Sequence, residues 1–223
     1  LTPYLQTMMN YPVLTAGLVL GPRGTGTMAA MMLVGRVINR VDARIFLTIG
    51  LACTAWSLYE MTMFTPDVAM QTLLINGIVQ GAGLGFLFTP LSTVSFSTLP
   101  PHLRTQGTSL FSLLRNLGSS IGVSVVMFML ERNTQVMHAQ LSQYANPLNP
   151  GLTGQMAGKV WDLSTLAGRA ALNAEITRQA AIVAYIDDYW MMSLLALAAM
   201  PLVLLLRPAN ARKGGHEMAM AME

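Results

Sequence analysis

Long apolar runs separated by short polar connections set the pattern of this chain. A bilayer core of about 30 Å is crossed by roughly 20 mostly apolar residues in a helix. Runs of that kind extend from about Leu14 to Val37, Ile45 to Phe64, Ala69 to Phe96, Gly107 to Leu130, and Tyr189 to Leu206, the last with room to begin a turn earlier. Leu1 to Met9 reads as the outer end of a preceding helix. The pattern predicts transmembrane helices over 1–130 with the first truncated, an extracytoplasmic loop carrying a helix over 131–181, a last span over 182–206, and a cytoplasmic tail over 207–223. Within the polar stretch, Asn146-Pro147-Leu148-Asn149-Pro150-Gly151 is a turn signal. From about Lys159 to Tyr185 helix-compatible residues return, among them Leu166, Ala170, Leu172 and Ile176. A connection of about 50 residues is longer than ordinary loops. It reads either as a spacer or as a docking surface for a partner outside the membrane.

Composition agrees with the pattern. Of 223 residues 53% are hydrophobic and 10% charged, where a soluble domain carries about 25% charged residues. Eighteen Met and nineteen Gly suit helices that pack closely and fill gaps with flexible side chains. Basic residues gather in alternate connections: Arg36, Arg40 and Arg44 at the first, His102 and Arg104 at the third, Arg207, Arg212 and Lys213 after the last span. The second, Thr65-Pro66-Asp67, has none. Positive charge collects on the cytoplasmic side, so these segments are expected inside and the second connection outside. The net charge of +3 is scattered, which argues against nucleic acid as a partner. Leu1-Thr2-Pro3-Tyr4-Leu5 has neither an initiator methionine nor signal-peptide features, and the sequence is expected to be a segment of a longer polypeptide.

Few residues in the spans carry chemistry. Arg115, followed by Asn116, lies about eight residues inside the fourth span, or about 12 Å deep. Two readings stand for it: a cation facing a cavity or a carboxylate, or a side chain snorkelling to the cytoplasmic headgroups. Glu60, the acid inside the second span, is either protonatable or interfacial. Asp187 and Asp188 open the last span and are expected at the outer surface. Pro90 interrupts the third span after Gly77, Gly81, Gly83 and Gly85. Such a helix bends, or lets a neighbour approach closely, as helices at transporter cavities do; ordinary glycine packing looks similar. No metalloprotease, serine-hydrolase or nucleotide-binding motif is present, and the lone Cys53 and the separated His102, His138 and His216 form no metal pattern. No cofactor is expected.

Several stretches together carry a family resemblance. They are Tyr4-Leu5-Gln6 with Ala16-Gly17 and Gly21-Pro22, Gly81 through Pro90, and Gly107 to Gly122 with Arg115. To these is added Gly35-Arg36-Val37-Ile38-Asn39-Arg40-Val41-Asp42-Ala43-Arg44, similar to the cytoplasmic signature G-R-x-x-D-R-x-G-x-R. The chain resembles the C-terminal half of the major facilitator superfamily, in its fourteen-helix drug:proton antiporter branch. The resemblance implies an all-α polytopic membrane protein of the inner membrane that works by alternating access, exchanging protons for amphipathic compounds. It places Gly81, Gly85, Pro90, Arg115 and Asn116 at the cavity or its coupling, and Gly35, Arg36, Asn39, Arg40, Asp42 and Arg44 in a gating loop. Asn39 stands where the signature has Asp, and Asp42 where it has Gly, which shifts the carboxylate of that loop. Implied partners are membrane lipids, protons, the N-terminal half of the same protein, a periplasmic adaptor and an outer-membrane channel. The proton-carrying acids are expected mainly in that N-terminal half. Export of a metabolite or lipid, and a non-transporting receptor or assembly protein, are the alternatives.

Overall fold

The computed structural model describes residues 2–38, 40–65, 68–96, 99–145, 161–162 and 164–205. These form α1 (Thr2–Thr7), α2 (Val13–Val37), α3 (Ala43–Met61), α4 (Met70–Phe96), α5 (Arg104–Ser142) and α6 (Leu166–Leu205), with one short helical turn at Pro101–Leu103 before α5. No strand occurs among the described residues. Hydrocarbon offers no water to backbone N–H and C=O groups, so the chain must close those bonds within each helix. That requirement keeps α2 helical through Gly21-Pro22-Arg23-Gly24-Thr25-Gly26, a composition that would favour a turn in water. α4, α5 and α6 are long and apolar enough to cross a membrane on length and composition alone. α2 and α3 pack along α4.

The bounds of α2, α3 and α4 follow the apolar runs, whereas α5 and α6 exceed them. At 1.5 Å per residue, the 39 residues of α5 and 40 of α6 make rods of about 60 Å, roughly twice the hydrocarbon thickness. α5 continues past Leu130 to Ser142, and the helix-compatible stretch ahead of the last span is continuous with that span in α6. Their extended ends meet: His138 Nε2 lies 3.0 Å from Asn173 Oδ1. Hydrogen bonds from Arg178 and Gln179 hold the Glu175 carboxyl on this extension below the ordinary carboxylate range. The Asn146–Gly151 turn, Asn39, Pro66 and Asp67, and the tail with Arg207, Arg212 and Lys213 lie outside the described residues.

Association of helices in lipid depends on close packing and hydrogen bonds, because the tails are as apolar as the side chains. α4 is the helix against which α2 and α3 are both built. Gly77, Gly81 and Gly85 stand one turn apart on its α2 side. A Cβ on Gly81 would run into the Arg23 carbonyl, and one on Gly26 into the Ile78 carbonyl. Thr27 Oγ1 donates to the Gly81 carbonyl at 2.9 Å, a side-chain-to-backbone hydrogen bond that ties α2 to α4. On the α3 side, a Cβ on Gly83 would come within 2.6 Å of Thr54 Oγ1. α6 is tied to α3 by Ser193 Oγ, which donates to the Ala55 carbonyl at 2.9 Å. At one end of the bundle, Leu5, Ala16, Val19, Leu58, Met61, Phe64, Leu73 and Tyr189 pack into a single cluster that joins α1, α2, α3, α4 and α6.

Gly81→Ala is expected to lower the stability of this chain by about 1–3 kcal/mol through overpacking against a backbone that cannot swing aside. Gly118→Ala, where nothing lies within 4 Å, is expected to be neutral or to gain up to about 1 kcal/mol from helix propensity. Thermal unfolding of both variants in detergent checks the contrast. Equal melting temperatures would mean that α2 and α4 do not meet at Gly81.

Candidate functional site

The apolar bundle holds a connected set of polar side chains between α3 and α4. Ser57 and Glu60 stand one turn apart on α3, and Asn76 and Gln80 one turn apart on α4. Ser57 Oγ donates to Asn76 Oδ1 at 2.9 Å. Asn76 Nδ2 donates in turn to the Ser57 carbonyl at 3.0 Å and to Glu60 Oε2 at 2.9 Å. Ser57, Asn76 and Gln80 are buried, and Glu60 is half-buried. Asn76 therefore uses its oxygen and both amide hydrogens at once. Glu60, one of the two readings of which was an interfacial acid, is drawn against α4 by that amide, with Oε1 left outside the bond. An ionised carboxylate accepts only, and a protonated one can donate. The arrangement can thus hold an acid in either state while Asn76 fixes its position.

A second polar place lies on α6. Asp187 is exposed, but Asp188 is 3% exposed. This corrects the surface expectation for Asp188: neighbouring positions on a helix point about 100° apart, so the pair cannot share one environment. Both Asp188 carboxylate oxygens, and the Tyr189 hydroxyl, lack a hydrogen-bond partner among the described residues. Three tyrosine rings gather beside it. Tyr4 meets Tyr185 edge-on at 5.5 Å and Tyr189 at 6.4 Å, while Tyr185 and Tyr189 stack at 6.3 Å. The Tyr4 hydroxyl reaches the Phe64 carbonyl at 3.4 Å.

The residues singled out by sequence occupy three further settings. Arg115 is exposed on α5 with its guanidinium carbon 4.4 Å from the centre of the Phe88 ring of α4. A cation over an aromatic face is worth about 0.5–2 kcal/mol, and here it links two spans. Asn116 is also exposed, and its carbonyl accepts from Ser119 Oγ at 3.0 Å. None of the residues of α5 is buried. Pro90, Gly81 and Gly85 are buried in α4, the glycines against α2. Around the connection of α2 to α3, Gly35 and Arg36 in the last turn of α2 and Arg40 and Asp42 between the helices are exposed, and Arg44 in the first turn of α3 is half-buried. Asp42 caps α3, its carboxylate accepting from the Arg44 backbone N–H at 3.1 Å, a bond worth about 1 kcal/mol.

Sequence reading passed over Asn76, Ser57, Gln80 and Arg23. The signal was there: amides and a hydroxyl spaced one turn apart within apolar runs are costly unless they meet. Arg23, half-buried in α2, sits where its carbonyl touches Gly81. Among the described residues no group of three His, Cys, Asp or Glu could hold a metal ion.

Comparison with known proteins supplies what geometry does not. The family model of the Major Facilitator Superfamily matches residues 1–133. Multidrug export protein EmrB of Haemophilus influenzae is 31% identical over 191 residues, covering 84% of this chain and 37% of its own length. Multidrug export protein EmrB of Escherichia coli is 28% identical over 218 residues, 95% of this chain and 42% of its own. Fatty acid resistance protein FarB of Neisseria gonorrhoeae is 29% identical over 217 residues, with 95% and 42% covered. The chain spans about two fifths of the length of these relatives and matches their C-terminal region.

Asn76→Ala is expected to destabilise the full-length parent by about 1–3 kcal/mol, because it strands Ser57 and removes the donor to Glu60. Glu60→Gln keeps an acceptor oxygen toward Asn76 and is expected to lose less than half as much. Thermal unfolding in detergent reads both changes. A Glu60→Gln loss equal to that of Asn76→Ala would mean that the negative charge, and not the acceptor, holds the network.

Proposed function

The chain belongs to the Major Facilitator Superfamily, and from that premise we propose that it forms the C-terminal portion of an inner-membrane exporter that moves amphipathic compounds outward in exchange for protons. It is a transporter and not an enzyme. The observation that carries the reading is the alignment of 95% of the chain with relatives named for multidrug export.

The geometry supplies parts that such a cycle needs. α2 and α4 meet backbone to backbone at Gly26 and Gly81, a contact that lets them move as one body. Arg115 over Phe88 links α5 to that body while its helix keeps an uncovered apolar face. We place the substrate path along that face, opposite the N-terminal half of the protein, with Arg115 and Asn116 on it. Pro90 and the glycines before it give α4 its capacity to bend. The loop of Gly35, Arg36, Asn39, Arg40, Asp42 and Arg44 lies on the cytoplasmic side and stabilises one transport state. Asp42 supplies that loop's carboxylate and also fixes the start of α3. The paired extensions of α5 and α6 project on the opposite side, where a periplasmic adaptor leading to an outer-membrane channel would dock.

A second substrate reading rests on FarB, named for fatty acid resistance and aligned over an equal share of the chain. An amphipathic anion is a natural companion for Arg115, whose guanidinium offers a planar fork to a carboxylate.

Everted vesicles containing the full-length parent test the proposal. Dye or drug uptake is expected to require an inward-acid pH gradient, and Arg115→Ala to reduce it by about tenfold, the equivalent of about 1.4 kcal/mol. Competition by long-chain fatty acids that is lost in Arg115→Ala would favour the second substrate class. Folded wild-type protein with no gradient-dependent movement of any amphipathic compound would overturn the antiport reading.

A further inference from the structure

We infer that Asp188 is a proton-exchanging carboxyl of the transport cycle, loaded when the outer end of the bundle opens and enclosed when it closes. The inference rests on the antiport reading above and relocates part of the proton chemistry into the C-terminal portion, where sequence alone expected little.

Three observations meet at this residue. Asp188 is 3% exposed, and both of its carboxylate oxygens lack a hydrogen-bond partner among the described residues. It also continues a stripe at one-turn spacing with Ala180 and Ala184, both fully buried. Small side chains on that stripe let the neighbouring helices close in, so the carboxyl has no room to turn toward solvent. Its neighbour Tyr189 belongs to the apolar cluster that joins α1, α2, α3, α4 and α6. Burial of Asp188 is therefore part of the packing that closes this end.

Among the described residues the ionisable groups around it offer no compensation. On its own helix stand Asp187, an acid, and the phenols Tyr185 and Tyr189. α1 contributes Tyr4, whose ring meets both of those phenols. The acid of α3 toward this end is Glu60, already bonded to Asn76. α5 has no titratable residue between Arg115 and Glu131. No ion pair among the described residues includes Asp188. An ionised carboxylate enclosed without a donor or a cation is among the least favourable states polar chemistry offers. Two events relieve it: a proton on one carboxylate oxygen, or water reaching it as the helices part.

These two events are the halves of an exchange. With the outer end open, hydronium gives its proton to a carboxylate oxygen of Asp188 and leaves as water. The neutral acid is what the closed tyrosine cluster then encloses. When later movement readmits water, the proton returns to it and the carboxylate resists closure until it is loaded again. Occupancy of the proton and closure of the outer end are thereby coupled.

The test uses the purified full-length parent with Asp188→Asn and Asp188→Glu. Infrared difference spectra between wild type and Asp188→Asn are expected to show the carbonyl band of a protonated carboxyl in wild type alone, disappearing as pH rises. In proteoliposomes, Asp188→Asn mimics the neutral acid. It is expected to retain drug–drug exchange without a gradient while losing gradient-driven flux on the order of tenfold or more; Asp188→Glu is expected to keep that flux with a displaced pH profile. Retained exchange also shows that the Asn variant folds. A wild type without the band, or an Asn variant with wild-type gradient-driven flux and pH profile, overturns the inference. A titrating Asp188 band in a wild type that shows no gradient-driven flux overturns the antiport reading instead, and leaves Asp188 as an exchanging acid of some other cycle.

Discussion

Hydrocarbon cannot satisfy a hydrogen bond, and every structural feature of this chain follows from that. Backbone groups must be closed within helices, which explains why α2 survives five glycines and a proline in its length. Helices in turn gain nothing hydrophobic by leaving lipid for one another. They associate where backbones can touch or where polar side chains find partners. Both occur on α4, through Gly81 against Arg23 on one side and Asn76 against Ser57 and Glu60 on the other. α4 thus organises the bundle because it carries small residues toward both neighbours and a bonded amide, Asn76, toward α3.

The same rule separates the polar groups into those that hold structure and those free to do work. Asn76 has a use for its oxygen and both amide hydrogens, and Ser193 reaches the Ala55 carbonyl. These bonds are complete and resist change. Glu60 engages one oxygen, Arg115 rests on the face of a ring, and Asp188 has no donor among the described residues. Incomplete satisfaction inside a membrane is an unstable condition that another conformation or a proton can relieve. The proposed exchange needs groups whose best environment differs between its states, and these three are its candidates.

α5 and α6 place the two ends of the chain's chemistry in different surroundings. In the membrane they bring Arg115 to an uncovered face and Asp188 to a closed one. Beyond it they continue as a pair, with His138 facing Asn173 and Glu175 held by Arg178. Tyr185, Asp188 and Ser193 lie on the same continuous helix as Asn173 and Glu175.

Sequence by itself determined the membrane setting, the helical class, the extents of α2, α3 and α4, and the family. All of these depend on run length, on local composition, or on the motif from Gly35 to Arg44, and such properties survive without a partner helix. It also marked Arg115 and Glu60 as charged groups inside spans, and Gly81 and Pro90 as places where a helix bends or a neighbour comes close. What it could not supply was that one of two neighbouring acids, both expected at the surface, is buried, which amide meets which carboxylate, and where α5 and α6 end. Asp187 and Asp188 are adjacent and chemically identical; only the rotation of α6 against α3 and the aromatic cluster sends one to solvent and the other inside. Glu60 and Asn76 stand 16 positions apart on different helices, and their meeting depends on how closely Gly50 and Gly83 let α3 and α4 approach. Tertiary structure decided these points because burial and pairing belong to the contact between helices, and no single helix contains that contact.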